Sequence, residues 1–146
     1  MDLTKTYPAS VRETMLGIVQ LKRTIDKGKA EIAGTIGEYN YDCAMDKHLF
    51  AFLGLDGGAL LDAIKHAKDD AEIGAFVAPY VNAKTADEIA TFNREWLNYG
   101  PEPGSPPEGY FLKLRGEVAP DRTDVTAWAD LLDLYEKRPV PQRVAA

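Results

Sequence analysis

The stretch that most constrains the fold is residues 21–46, LKRTIDKGKAEIAGTIGEYNYDCAMD. Its apolar positions recur at steps of three or four residues, which predicts a helix with one narrow apolar stripe. The members of this stripe are Leu21, Ile25, Gly28, Ile32 and Ile36. Gly34 and Gly37 follow, and they predict a glycine cap and a turn. Because such a stripe must be buried, the other elements are expected to pack against this helix.

The same helix carries a group of charges. Lys22, Arg23 and Lys29 lie three or four residues from Asp26, so one carboxylate has three cations at helix-neighbour spacing. Charge runs of this kind are usually a solvated helix face, which is the simplest interpretation. The alternative is that Arg23 and Lys27 line an anion-accepting cleft in which Asp26 orients them.

The segment after the helix alternates polar and apolar residues from position 38 to position 43. This alternation predicts an extended chain with Tyr39, Tyr41 and Cys43 on one side. No other segment is a convincing partner strand, so we expect residues 38–43 to cross over helices. Buried phenol groups usually find hydrogen-bond partners, which makes the two tyrosines candidates for a binding surface.

Several motifs give the chain a resemblance to a known family. They are MDLTKTYPAS and VRETMLG at the start, LKRTIDKGKA, GEYNYDCAMD, and AWADLLDL near the end. The chain resembles, from Leu3 to about Leu134, the small bacterial proteins grouped as domain of unknown function 5069. That family has no assigned activity, so the resemblance implies a bacterial protein and supplies no mechanism.

Helix-start signals recur along the whole chain. Capping boxes occupy residues 10–13 and 85–88, and they predict a helical turn from Val11 and a helix after Thr85. The other predicted caps are Asp46, Asp56, Asp69 or Asp70, and Thr123 or Asp124; residues 110–118 also form a predicted helix. The sequence therefore predicts an all-α fold: one compact domain, residues 1–137, of about seven short helices with one extended crossing segment, and a flexible tail, residues 138–146.

Composition excludes several classes of function. The net charge of −6 argues against a nucleic-acid partner and against binding to an anionic membrane. One cysteine excludes an internal disulfide, and His48 and His66 have no ligand-spaced partner, so we expect no metal and no cofactor. The absence of a signal peptide and of a long apolar segment predicts a soluble, acidic, cytoplasmic protein.

Two groups of residues suggest chemistry. Cys43 has Asp42, Asp46 and His48 within five residues, the beginning of a nucleophilic site, although a lone cysteine is more often a small buried hydrophobe. Asp130 and Asp133 share one face of the last helix. They are interpreted either as a carboxylate pair or as the acidic partners of Arg23 and Lys27.

Three hypotheses follow. The first is a binding or interaction module for a protein partner or a small anionic ligand. Its candidate ligand-binding residues are Arg23, Asp26, Lys27, Tyr39, Tyr41 and Trp128. The second is an enzyme on a small metabolite that uses Cys43 or a carboxylate, and the third is a structural homo-oligomer. We prefer the first hypothesis because it requires the fewest specific sequence features.

Overall fold

The computed structural model describes residues 1–143, which contain seven helices and no strand. The helices are α1 (Leu21–Ala33), α2 (Ala44–Leu53), α3 (Gly57–His66), α4 (Asp70–Asn82), α5 (Ala86–Leu97), α6 (Pro106–Val118) and α7 (Trp128–Tyr135). The predicted all-α class is confirmed. The chain forms two compact units, the first Met1–Thr91 and the second from Phe92 onward. The predicted single domain with a tail from residue 138 stays a prediction, and residues 144–146 lie outside the described part.

Helix α1 is the centre of the first unit and packs against α2 and α3, while α3 also packs against α4. Gly28 makes the close approach possible, since a Cβ there would lie 2.7 Å from Cδ1 of Ile64 and 3.2 Å from the ring of Tyr41. The apolar residues that these four helices bury are Leu21, Ile25, Ala30, Leu49, Phe50, Leu53, Leu60, Ile64, Ile73, Val77 and Val81.

The charges of α1 are buried as well. The exposed fraction is 3% for Arg23, 8% for Asp26 and 3% for Lys27. The interpretation as a solvated face is therefore wrong for these three residues. The apolar stripe is also shorter than predicted, because Ile32 is exposed and Ile36 lies beyond the glycine cap at Gly34.

Several predicted helix starts are confirmed and four are corrected, one of them the start of the helix predicted at residues 110–118, which begins at Pro106 as α6. The caps Asp56 and Asp69 and the box of Thr85 with Glu88 occur as predicted. Residues 10–13 form a turn rather than a helix, and the last helix begins at Trp128 instead of Thr123 or Asp124. Asp46 is not the cap of α2. Cys43 holds that position, and Asp46 lies in the first helical turn, where long-range partners bury it.

The second unit has a small core between α6 and α7. Phe111, Val125 and Leu131 are buried there. Leu114, Val118, Trp128 and Leu134 pack around them. Arg143 binds the buried Asp130 at 2.8 Å, so the chain after α7 contacts this unit as far as the described residues extend. None of the helices in residues 1–143 is long and apolar enough to cross a membrane.

Candidate functional site

A fully buried carboxylate, Asp46, joins α1 to α2. Its Oδ1 accepts hydrogen bonds from the Thr24 hydroxyl at 2.6 Å and from Nε2 of Gln20 at 3.1 Å. Its Oδ2 accepts from Nζ of Lys27 at 2.8 Å and from the backbone N–H of Asp42 at 3.0 Å. A carboxylate is stable without water only when donors surround it in this way. Asp46 is thus the centre of a group of buried polar residues, which we call the buried cluster. Its members are Gln20, Arg23, Thr24, Asp26, Lys27 and Asp46.

Lys27 directs its ammonium at three protein acceptors. Nζ lies 3.0 Å from the carbonyl oxygen of Asn40, 3.3 Å from Sγ of Cys43 and 2.8 Å from Oδ2 of Asp46. An ammonium has three N–H donors, and these contacts use all of them. Lys27 therefore holds segment 38–43 against α1 and offers no donor to a ligand. Its acidic partner is Asp46, whereas Asp130 and Asp133 belong to the second unit.

Two residues around Asp46 have a left-handed backbone conformation. Gln20, which precedes α1, has φ of 73°, and Asp42, which precedes the cap of α2, has φ of 62°. Such conformations cost about 1–3 kcal/mol each outside glycine. The Gln20 side chain and the Asp42 N–H both donate to Asp46, so the carboxylate supplies the interactions that hold these conformations.

Arg23 and Asp26 hold the amino-terminal segment. The N–H of Ala9 donates to Oδ2 of Asp26 at 2.9 Å, and the carbonyl oxygen of Ala9 accepts from Nη1 of Arg23 at 3.1 Å. One turn of α1 thereby binds both polar groups of one residue. The Arg23 guanidinium also lies 5.6 Å from the ring centroid of Tyr39, a cation–π distance. The two buried charges fix both the amino-terminal segment and Tyr39.

The amino-terminal segment and residues 37–39 line an open cleft of about 420 Å³, which we call the amino-terminal cleft. Its lining residues are Leu3, Thr4, Lys5, Thr6, Tyr7, Gly37, Glu38 and Tyr39. The two walls are joined by a bond from the Leu3 N–H to the Thr35 carbonyl, at 2.9 Å. Gly37 has φ of 62°, and a Cβ there would approach the Leu3 oxygen to 3.3 Å, so this turn favours glycine.

A second cavity has a volume of about 200 Å³. Its lining residues are Thr14, Met15, Lys22, Ile25, Asp26, Lys29, Asp70 and Ile73. Its two lysines are matched by two aspartates, and Lys29 pairs with Asp70 at 2.5 Å. At about 200 Å³, the second cavity is below the usual range of about 300–1,000 Å³ for small-molecule sites.

Tyr41 is anchored rather than presented to a ligand. Its hydroxyl donates to the carbonyl oxygen of Gly57 at 2.7 Å, which joins the connecting segment to the start of α3. Burial raises the pKa of the Tyr41 phenol well above its usual value, and the negative charges of Asp46, Asp42 and Asp56 raise the pKa further. The phenol stays protonated in the folded protein at alkaline pH.

Because of this raised pKa, the stability of the fold is expected to change with pH in the alkaline range. The folded state retains the Tyr41 proton above pH about 10, where an unfolded tyrosine loses it. The contribution of Tyr41 to the free energy of unfolding is thus complete below that pH and declines as pH rises above it. Urea denaturation between pH 9 and pH 11 is expected to show this decline, which should be smaller in Tyr41→Phe. Equal declines in the two proteins would contradict the assignment.

The structure brings together all but one of the residues predicted to bind a ligand. Arg23, Asp26, Lys27 and Tyr39 belong to the cluster or to the cleft beside it, and Tyr41 lies on the same connecting segment. Trp128 belongs to the second unit, where its ring packs edge-on against Phe111 at 4.9 Å and alongside Tyr110 at 6.4 Å.

Sequence reasoning missed the roles of Gln20, Thr24 and Asp46. The only local signal was the spacing of Cys43 and Asp46, three residues apart, which matches a capping box and places a carboxylate in the first turn of a helix. Nothing in the local sequence indicated that α1 would supply the partners of Asp46.

Within residues 1–143, no three or more His, Cys, Asp or Glu side chains are arranged to hold a metal ion.

The model of the family described as Domain of unknown function (DUF5069) matches residues 5–138. The chain belongs to this family. The match includes most of both units and every residue of the buried cluster, and it leaves out residues 1–4, of which Leu3 and Thr4 line the cleft, and the last eight positions. No curated protein matches the chain. Because the DUF5069 family has no assigned activity, function must be argued from the cluster and the cleft.

Proposed function

We propose that this DUF5069 protein is a binding module and that the amino-terminal cleft receives a small anionic ligand. The observation that carries the proposal is the cleft, whose volume of about 420 Å³ is within the usual range for small-molecule sites, about 300–1,000 Å³. Its walls carry hydrogen-bond donors suited to a charged or hydroxylated molecule. They are the ammonium of Lys5 and the hydroxyls of Thr6, Tyr7 and Tyr39, whereas the Thr4 hydroxyl donates to Oδ1 of Asp2.

The charge distribution supports an anion over a cation. Residues 1–30 carry six Lys and Arg against three Asp and Glu, a net charge of +3 in a chain whose total is −6, and Lys5 is the one of these charges that lines the cleft. The ammonium of Lys5 lies 3.9 Å from Oδ2 of Asp2; the Lys5 side chain is 81% exposed, so an anion can compete with Asp2 for the ammonium. Glu38 is the one carboxylate among the lining residues and favours a ligand with a donor group opposite its anionic end.

The buried cluster has a positioning role in this proposal. Arg23 and Asp26 fix Ala9 next to one wall, and Lys27 fixes the chain at Asn40 next to the other. Walls that are fixed before binding lose little conformational entropy when the ligand arrives. Of the residues predicted to bind the ligand, Tyr39 is thus the one proposed to touch it, and Arg23, Asp26 and Lys27 act through the walls.

Binding is expected to depend on Lys5 and Tyr39. Native mass spectrometry of the protein from its own host should reveal a retained ligand that denaturation releases. At constant ionic strength, inorganic phosphate or citrate should raise the free energy of unfolding, by about 2.7 kcal/mol at a hundredfold excess over Kd. Lys5→Ala and Tyr39→Ala should lose both effects, whereas Lys113→Ala, an exposed lysine of α6, should keep them.

Two results together would contradict the proposal: a mass spectrum with no retained ligand, and an equal response of stability to these anions in the wild type and in all three variants.

The enzyme on a small metabolite is the second candidate, supported by the contact of Lys27 with Cys43. It ranks second because neither cavity is lined by Cys43. A protein partner and a homo-oligomer stay predictions. A cytoplasmic location is part of the proposal, since a single unpaired cysteine suits a reducing compartment.

A further inference from the structure

A buried amine and a thiol lie in contact between α1 and the cap of α2. Nζ of Lys27 is 3.3 Å from Sγ of Cys43, within the separation of about 3–3.5 Å that groups poised for bond formation adopt. The Lys27 side chain is only 4% exposed, whereas Cys43 is partly exposed. Cys43 is thus the member of the pair that solvent can approach.

We propose that peroxide converts this pair into a covalent sulfenamide, an S–N bond between Cys43 and Lys27. An oxidised thiol condenses with a second thiol to a disulfide or with a backbone nitrogen to a sulfenamide, and a side-chain amine held against the sulfur offers a nitrogen for the same reaction. Cys43 is the only cysteine, so the chain has no second thiol to offer. The nitrogen of Lys27 is already held in hydrogen-bond contact with the sulfur, which makes it the intramolecular trap.

The reaction takes two steps. Hydrogen peroxide first oxidises the thiol to a sulfenic acid: an S–O bond forms, the peroxide O–O bond breaks and one water leaves. The Lys27 ammonium then gives one proton to Oδ2 of Asp46, which lies 2.8 Å away. The nitrogen lone pair attacks sulfur, the S–O bond breaks, and the departing hydroxide takes a second proton from nitrogen to become water. The net change is one S–N bond and the loss of two electrons, which the peroxide accepts.

The bond would tie the middle of α1 to the cap of α2. It would also remove the positive charge of Lys27 while Asp46 takes up a proton, so the pair loses both charges together. Segment 38–43, which Lys27 holds through Asn40, would then be fixed covalently. Oxidation would thus act as a reversible clamp beside the cleft wall, whether or not the cleft binds an anion.

The test is to treat the full-length protein, at low concentration, with a few equivalents of hydrogen peroxide and to measure the intact mass. The main product is expected to weigh less than the reduced protein by two hydrogen atoms. Its tryptic digest should lack cleavage after Lys27 and should contain a peptide that joins Lys27 to Cys43. A thiol reductant should restore both the mass and the cleavage.

Two variants serve as controls that leave Lys27 in place. Cys43→Ser should show no loss of two hydrogens, and Lys47→Arg, at an exposed lysine of α2, should still form the cross-link. Accumulation of sulfinic acid or an intermolecular disulfide would overturn the proposal. So would a bond from Cys43 to a backbone nitrogen or to Lys47, which has the same mass but leaves cleavage after Lys27 intact. None of these results depends on ligand binding in the cleft.

Discussion

Asp46→Ala is expected to lower the free energy of unfolding by about 3–5 kcal/mol, the cost of leaving a buried charge without its partner. Lys27 would keep an ammonium that is 4% exposed and lose its only described ion-pair partner. The Gln20 and Thr24 side chains would lose an acceptor at the same time. The measurement is urea denaturation followed by far-UV circular dichroism.

The matched control is Asp62→Ala on α3, whose side chain is 73% exposed and whose loss should cost less than about 0.5 kcal/mol. In a double-mutant cycle, Lys27→Met is expected to offset part of the loss in Asp46→Ala, because the unpaired charge disappears with it. If Asp46→Ala is as stable as the control, the cluster is not held by this carboxylate.

Gly100→Ala is expected to destabilise the second unit by at least about 1–3 kcal/mol, as overpacking does in well-packed sites. A Cβ at Gly100 would lie 2.0 Å from the carbonyl oxygen of Thr126, a backbone atom that no change of rotamer can move. The chain is held there by the bond from the Trp128 N–H to the Tyr99 carbonyl, at 2.9 Å. The added methyl group must therefore push residues 99–101 away from the start of α7.

The control is Gly116→Ala in α6, where a Cβ would meet no atom within 4 Å. Replacing a helical glycine by alanine stabilises by roughly 0.5–1 kcal/mol, so the two substitutions should act in opposite directions. Thermal denaturation monitored by tryptophan fluorescence reads the second unit directly, because Trp96 and Trp128 both belong to it. A stabilising effect of Gly100→Ala would show that residue 100 does not contact Thr126.

The two proposals fail separately. Variants at Lys5 and Tyr39 test the cleft and leave the Lys27–Cys43 pair unchanged, whereas Cys43→Ser tests the cross-link and leaves the cleft lining unchanged. Asp46 bears on both, since it holds Lys27 and receives the proton of the sulfenamide reaction. A variant of Asp46 therefore reports on stability and not on either function.

Local rules were enough to predict most of the helices. Asp56, Asp69 and Thr85 start α3, α4 and α5 because a side-chain oxygen accepts from an N–H three residues later, a contact within one short stretch of chain. The glycine cap at Gly34 follows from the same kind of local geometry. The all-α class was accordingly within reach of the sequence, and membership of the DUF5069 family was indicated by the sequence motifs that resemble it.

The tertiary structure alone decided which charged side chains of α1 are buried and which groups they bind. The sequence places Lys22, Arg23 and Lys29 around Asp26, and that pattern is typical of an exposed face. The folded chain instead pairs Lys27 with Asp46, nineteen residues away, and joins Asp26 to Ala9, seventeen residues away. Helix spacing gives the neighbours of a side chain on its own helix. Whether a charge is buried depends on which other segments pack over that helix, and only the folded chain determines that.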